Sequence, residues 1–183
     1  MKDAEFAKLI DIQQKLATQD IHHWSHYVFL TYRWWILVGI LTIPWIIWIL
    51  VSDRKKDGNL LPNALFIMIV SSLLDTIGST LTLWGYPYEL VPLLPRAIAF
   101  DLGLLPVAYM MVCKYFTSTK SFAWALLIVS FVFAFIGEPI VVALGMYEPY
   151  SWKFYYSFPI YFLIGCLGRF ISRYFIAGSV QRS

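Results

Sequence analysis

Residues 34–51 run without a single charged side chain. As an α-helix rising about 1.5 Å per residue, this segment is roughly 27 Å long, enough to cross the hydrocarbon core of a bilayer. Four further apolar runs follow, over about residues 62–84, 95–116, 122–145 and 154–177. The breaks between them are short. The charged stretch from Ser52 to Asn59 precedes Pro62, which suits the first turn of a helix, and Gly85-Tyr86-Pro87 forms a turn. Thr117 to Lys120 and an aromatic loop after Gly145 make the remaining connections. Connections this short force successive helices to run antiparallel as neighbours. The expected architecture is therefore all-α: a polytopic membrane bundle of about five transmembrane helices over residues 34–183, preceded by an amphipathic segment over residues 1–33.

Composition supports the bilayer as solvent. The chain is 60% hydrophobic and 14% charged, against roughly 45–50% and about 25% in soluble domains. Aromatic residues make up 19% and gather near the ends of the apolar runs, where rings anchor at a membrane–water boundary. The net charge of +3 is small and its basic residues are scattered over short loops, which argues against a nucleic-acid partner. Cys113 and Cys166 both sit inside apolar runs and define neither a disulfide framework nor a zinc site. Residues 1–20 lack the short apolar core and cleavage site of a signal peptide, so the first span is expected to direct insertion.

Orientation follows from the basic residues. Arg54, Lys55, Lys56, Lys114, Lys120, Arg169, Arg173 and Arg182 fall at one end of the expected bundle, and Arg96 and Lys153 at the other. The positive-inside rule then places the C-terminus in the cytoplasm and the N-terminus outside, although Lys2, Lys8, Lys15 and Arg33 near the start weigh against it. Phe6, Leu9, Ile10 and Leu16 share one face of a helix suited to lying on a membrane surface. His22 and His26 also share a helical face, but with no third ligand nearby they read as part of an interfacial aromatic and imidazole belt rather than a metal site.

Three carboxylates interrupt the spans: Asp75, Asp101 and Glu138. Each costs about 2.5–3.5 kcal/mol on insertion scales, so each calls for an explanation. At helical rise all three lie about 9–14 Å from the same end of the bundle, with Arg96 placed to reach inward and neutralise one of them. Ser71, Asp75, Gly78 and Thr82 recur at helical spacing, which turns Asp75 toward neighbouring helices. Pro139 follows Glu138 and deprives the Phe135 carbonyl of its donor, so a bend is expected beside the carboxylate; Pro44, Pro106 and Pro159 interrupt three other spans. Trp84, Tyr86, Tyr88, Tyr147, Tyr150, Trp152, Tyr155 and Tyr156 form a candidate aromatic vestibule at that end. Arg169 and Arg173, one turn apart near the other end of the last span, are expected to snorkel to lipid headgroups.

No Ser-His-Asp order, zinc-protease, nucleophile-elbow, phosphate-loop or dinucleotide fingerprint occurs. The expectation is a non-enzymatic membrane protein without cofactor or metal. Its buried carboxylate cluster, with Asp75, Arg96, Asp101 and Glu138 as candidate ligand-binding residues, either serves the architecture or binds a small ligand or partner. The alternative is a small proton- or cation-coupled transporter with Asp75, Asp101 and Glu138 as binding groups. Expected partners are the lipid bilayer and either a second copy of the chain or another membrane protein.

Three passages carry a family resemblance: Tyr86-Pro87 leading through Arg96 to Phe100-Asp101 and Pro106; the intramembrane Glu138; and Tyr150-Ser151-Trp152 leading to Gly168-Arg169-Phe170. Over roughly half its length the chain resembles a family of small multi-pass membrane proteins of endospore-forming bacteria, whose function is uncharacterised. The chain carries Asp101 where that family often has glutamate, and its extension through Asp20 lies outside the pattern. The resemblance implies a bacterial plasma or spore membrane and supplies no catalytic or binding residues.

Overall fold

The protein is described here from a computed structural model, with backbone for residues 2–180 and side-chain surroundings for residues 4–53 and 56–173. Of the basic residues used to orient the chain, Arg182 and the side chains of Lys2, Arg54 and Lys55 lie outside the described residues. The fold is helical. Helix α1 (Lys2–His23) runs into a wide turn, Trp24–Val28, and then α2 (Tyr32–Val51). A short α3 (Arg54–Asp57) leads to α4 (Leu61–Thr80) and a two-residue strand β1 (Trp84–Gly85). A second wide turn, Phe100–Leu104, opens α5 (Leu105–Tyr115). Helix α6 (Thr119–Val132) passes through a third wide turn, Phe133–Gly137, into α7 (Glu138–Ala143); strand β2 (Glu148–Pro149) and α8 (Phe154–Val180) complete the chain.

Among the described residues four helical stretches are long and apolar enough to cross a membrane: Tyr32–Val51, Gly58–Thr80, Thr119–Ala143 and Phe154–Arg173. Exposed aliphatic side chains such as Ile49, Leu50, Leu65, Ile69, Ile128 and Leu163 cover their outer faces. The third apolar run behaves differently. Pro92 and Pro95 cannot donate to a helix ladder, and Leu93 adopts a left-handed φ of 68°, so the chain stays irregular until helix begins at Ile98, just before the wide turn at Phe100. The resulting helix is shorter but sits at the centre of the bundle, with Leu105, Pro106, Val107, Tyr109, Met110 and Val112 buried.

Two of the wide turns share a local cause. In each, the backbone N–H after the turn bonds five residues back, Leu105 to Phe100 and Glu138 to Phe133, and a proline follows at once, Pro106 and Pro139. A proline ring clashes with the carbonyl four residues earlier and offers it no N–H. Widening the preceding turn relieves that clash, as π-bulges do. For Pro106 the released carbonyl is that of Leu102, and the indole Nε1–H of Trp45 on α2 donates to it at 2.6 Å. The helix irregularity thus becomes a tie between helices. Trp45→Phe keeps the ring and removes the donor, and should cost about 1–3 kcal/mol because it strands a buried acceptor; chemical denaturation in bicelles measures it.

Glycine sets the closest approaches. Gly103, in the second wide turn, lies against the backbone of α2, where an added Cβ would stand 2.5 Å from the Ile40 carbonyl oxygen and 2.6 Å from Leu41 Cα. Gly165 and Gly168 on α8 pack against Tyr109 and Leu126, and against Asn63 and Ile67, respectively. Small residues of this kind let membrane helices approach without a bulky side chain between them. Around those contacts Ile67, Tyr109, Phe122, Leu126 and Ile164 form the main apolar core.

The same helix-stop motif is used twice at one end of the bundle. After α4, Thr82 takes a left-handed φ of 54°, while Leu83 N–H bonds Gly78 O (2.9 Å) and Thr82 N–H bonds Ser79 O (3.0 Å). After α7, Gly145 takes φ 67°, with Met146 N–H on Val141 O (3.0 Å) and Gly145 N–H on Val142 O (2.8 Å). Both are Schellman stops. They release the two chains side by side, so that β1 and β2 pair antiparallel with Trp84 opposite Pro149 and Gly85 opposite Glu148. Because a threonine in the left-handed region is strained by about 1–2 kcal/mol, Thr82→Gly is expected to raise stability by about 1 kcal/mol; the shift of the unfolding midpoint measures it.

Candidate functional site

Behind the β1–β2 ribbon lies a cavity of about 310 Å³, walled by α4, the turn into α5, the turn into α7, and α8. All three acids that interrupt the apolar runs of the sequence, Asp75, Asp101 and Glu138, line it. Asp75 and Asp101 are only 6% and 3% exposed. Asp101 lies inside one wide turn and Glu138 directly follows another, so each acid sits where its helix departs from regular geometry.

The ribbon carries aromatic side chains back toward the acids. Trp84 folds over Gly78, where any Cβ would collide with the indole, and its Nε1–H donates to Asp75 Oδ1 at 3.0 Å. The Tyr86 hydroxyl donates to the same oxygen at 2.6 Å. Ser71 and Ser72 of α4 lie beside Asp101. From α8, the Tyr161 hydroxyl donates to Glu138 Oε1 at 2.9 Å, while Ser157 lies beside Glu138 and accepts from Trp152 Nε1 at 2.9 Å. The second oxygens, Asp75 Oδ2, Asp101 Oδ2 and Glu138 Oε2, are buried without a hydrogen-bond partner. Among the described residues no Lys, Arg or His lines the cavity. Buried acceptors left in this state are costly, so a donor or cation from outside the chain would be favoured there.

Arg96 is not where the sequence places it. Instead of reaching into the acid cluster, it bonds Asp20 at 2.8 Å and approaches Glu89 at 3.9 Å, tying α1 to the loop before α5. The irregular backbone around Pro95 sets Arg96 beside Asp20 of α1 and Glu89 of its own loop, away from the cavity acids. Burial pushes the Glu89 carboxyl above its ordinary range, with the Arg96 guanidinium pulling the other way. Arg169 also departs from expectation. It donates to the carbonyls of Phe116 (3.1 Å) and Thr117 (2.5 Å) and covers the Phe122 ring, 4.0 Å from its centroid. It closes the C-terminal end of α5, whose last carbonyls lack helical partners, while Arg173 stands exposed.

The aromatic vestibule divides in two. Trp84, Tyr86, Tyr147 and Trp152 line the cavity, whereas Tyr88 accepts from Arg33 (2.5 Å) and Tyr150, Tyr155 and Tyr156 are exposed. Sequence reasoning missed Ser157 and Tyr161. Their spacing of four along the last span, facing a membrane acid, was the available signal. His22 and His26 stack with ring centroids 4.1 Å apart, and His26 Nδ1 bonds the His22 carbonyl at 2.9 Å.

No protein-family model, curated protein or solved structure matches the chain.

Proposed function

We propose that the chain is a five-span integral protein of a bacterial plasma or spore membrane, and that its bundle binds a small ligand without catalysing a reaction. The observation that carries this reading is the convergence of acids from three helical segments on one cavity, each with a buried oxygen left without a hydrogen-bond partner. A purely architectural cluster would be expected to complete its own hydrogen bonds. The fifth crossing is the buried helix formed by the Phe100–Leu104 turn and α5, which leads from the ribbon end of the bundle to the end bearing Lys114. The C-terminus is read as cytoplasmic. At the ribbon end Arg33 and Arg96 are held by Tyr88 and by Asp20, while Lys120 and Arg173 at the opposite end stand exposed. Helix α1 is read as lying on the membrane surface, because Phe6, Leu9, Ile12 and Leu16 are exposed and Asp20 fastens its end to the bundle.

Thermal unfolding of the protein in lipid nanodiscs, with and without a panel of small molecules, tests the binding reading. A ligand that stabilises the wild type and loses its effect on Asp75→Asn, Asp101→Asn or Glu138→Gln protein is the expected result. A panel-wide absence of any response that depends on these acids would contradict it.

A second reading, a small proton- or cation-coupled transporter, draws on the wide turns and prolines beside Asp101 and Glu138. Irregular helices next to intramembrane acids are a feature of transporter sites. On this reading Glu138→Gln abolishes a pH- or cation-dependent flux into vesicles while the protein stays folded. Absence of flux in both proteins leaves the binding reading alone.

A further inference from the structure

The hydrogen-bond inventory of the cavity restricts what can occupy it. Its indole and phenol donors are largely engaged within the protein: Trp84 and Tyr86 on Asp75, Tyr161 on Glu138, Trp152 on Ser157. What faces the cavity is then an excess of acceptors, the second oxygens of Asp75, Asp101 and Glu138, together with ring faces and aliphatic side chains. With no basic side chain among the described residues of the wall, an anion would find no counter-charge there, and a sugar-like ligand would find few donors for its own acceptors. A bare metal ion fits poorly as well. Among the described residues no three His, Cys, Asp or Glu side chains come close enough to hold one, although three acids border the same space. The acids are spread around an apolar volume at the lower end of the range of small-molecule sites.

We propose that the cavity takes an organic monocation, an ammonium or quaternary ammonium group carried on an apolar body. This rests on the small-ligand reading given above. The positive group sits against Asp101 and Asp75, the two acids at least nine-tenths buried with an oxygen unpartnered. The apolar body lies along Phe100, Phe133 and Ile160. Trp84 and Tyr147 present aromatic surface, which attracts a desolvated cation through its quadrupole. A ligand of this kind supplies the charge that the wall lacks and leaves the existing hydrogen bonds of the ribbon in place.

Benzyltrimethylammonium and its uncharged carbon isostere neopentylbenzene have nearly the same shape, so the pair isolates the charge. Binding of each to the full chain in nanodiscs is measured by equilibrium dialysis, with empty nanodiscs correcting for partition into lipid, and by the unfolding midpoint. The expected result is binding of the cation at least roughly tenfold tighter than of the isostere, a difference of about 1.4 kcal/mol. Asp101→Asn should lose about the same factor while unfolding cooperatively. Should that variant not fold, Asp75→Asn serves as the second case, and the cation–isostere comparison on wild type stands independently. Equal binding of the two compounds, or full cation affinity in the acid variants, overturns the cation proposal and leaves a binding cavity of apolar preference. Binding of neither compound overturns the cation proposal and counts against the small-ligand reading as well.

Discussion

Gly103→Val is expected to destabilise the bundle by more than about 3 kcal/mol, beyond the usual range for overpacking. A Cβ at this position meets backbone, the Ile40 carbonyl and Leu41 Cα, and not the movable end of a side chain. The wide turn must therefore separate from α2. That separation also draws Leu102 away from Trp45, so the 2.6 Å indole bond is lost together with the close packing. Because the two contacts are coupled, Gly103→Val combined with Trp45→Phe should cost less than the sum of the single variants. Chemical denaturation of the four proteins in one bicelle mixture checks both the size of the loss and the shortfall from additivity.

The second large effect is expected at Trp84. Truncation to alanine removes a ring packed on Gly78 and stacked edge-on against Trp152 at 4.8 Å, and it removes one of the two donors to Asp75. Losses of about 3–5 kcal/mol accompany such tryptophan-to-alanine changes in well-packed sites, and the ribbon end of the cavity should open to water. Trp84→Phe separates the contributions. It retains a ring over Gly78 and loses only the N–H, so about 1–2 kcal/mol is expected. Denaturant midpoints of both variants give the energies. Equal losses in the two would place the whole effect in the hydrogen bond and contradict the packing argument.

Much of the fold is legible in the sequence because a bilayer imposes a coarse rule. Uncharged runs such as residues 34–51 leave few alternatives to a long helix, and the described residues hold four helices long and apolar enough to cross a membrane. The third run is harder to read, since Pro92, Pro95 and Pro106 act together, and hydropathy carries no account of how a proline widens a turn. The bend at Glu138-Pro139 follows from one missing N–H and is visible residue by residue, as is the inward face of α4 from the recurrence of Ser71, Asp75 and Gly78. The meeting of the three acids could be anticipated from depth along each helix.

Their hydrogen-bond partners could not be anticipated in full. Trp84 reaches Asp75 only because Thr82 stops α4 in a left-handed turn that folds the chain back, and Arg96 is captured by Asp20, 76 positions away in sequence. Side-chain reach across an irregular loop depends on its φ and ψ values, which periodicity does not encode. The same holds for Arg169. Its place near a helix end suggested lipid, whereas the carbonyls left over at the end of α5 lie within its reach.

The central claim is that Asp75, Asp101 and Glu138 act on one shared space, and double-mutant cycles test it most directly. Asp75→Asn, Asp101→Asn, Glu138→Gln and their pairwise combinations, unfolded by denaturant in one bicelle mixture, yield three coupling energies. Acids facing one cavity should be coupled by about 0.5–3 kcal/mol per pair, since neutralising one changes the electrostatic surroundings of the others. Pairs that add to within about 0.3–0.5 kcal/mol would mean that the three carboxyls are energetically separate, and the shared cavity would no longer describe this protein.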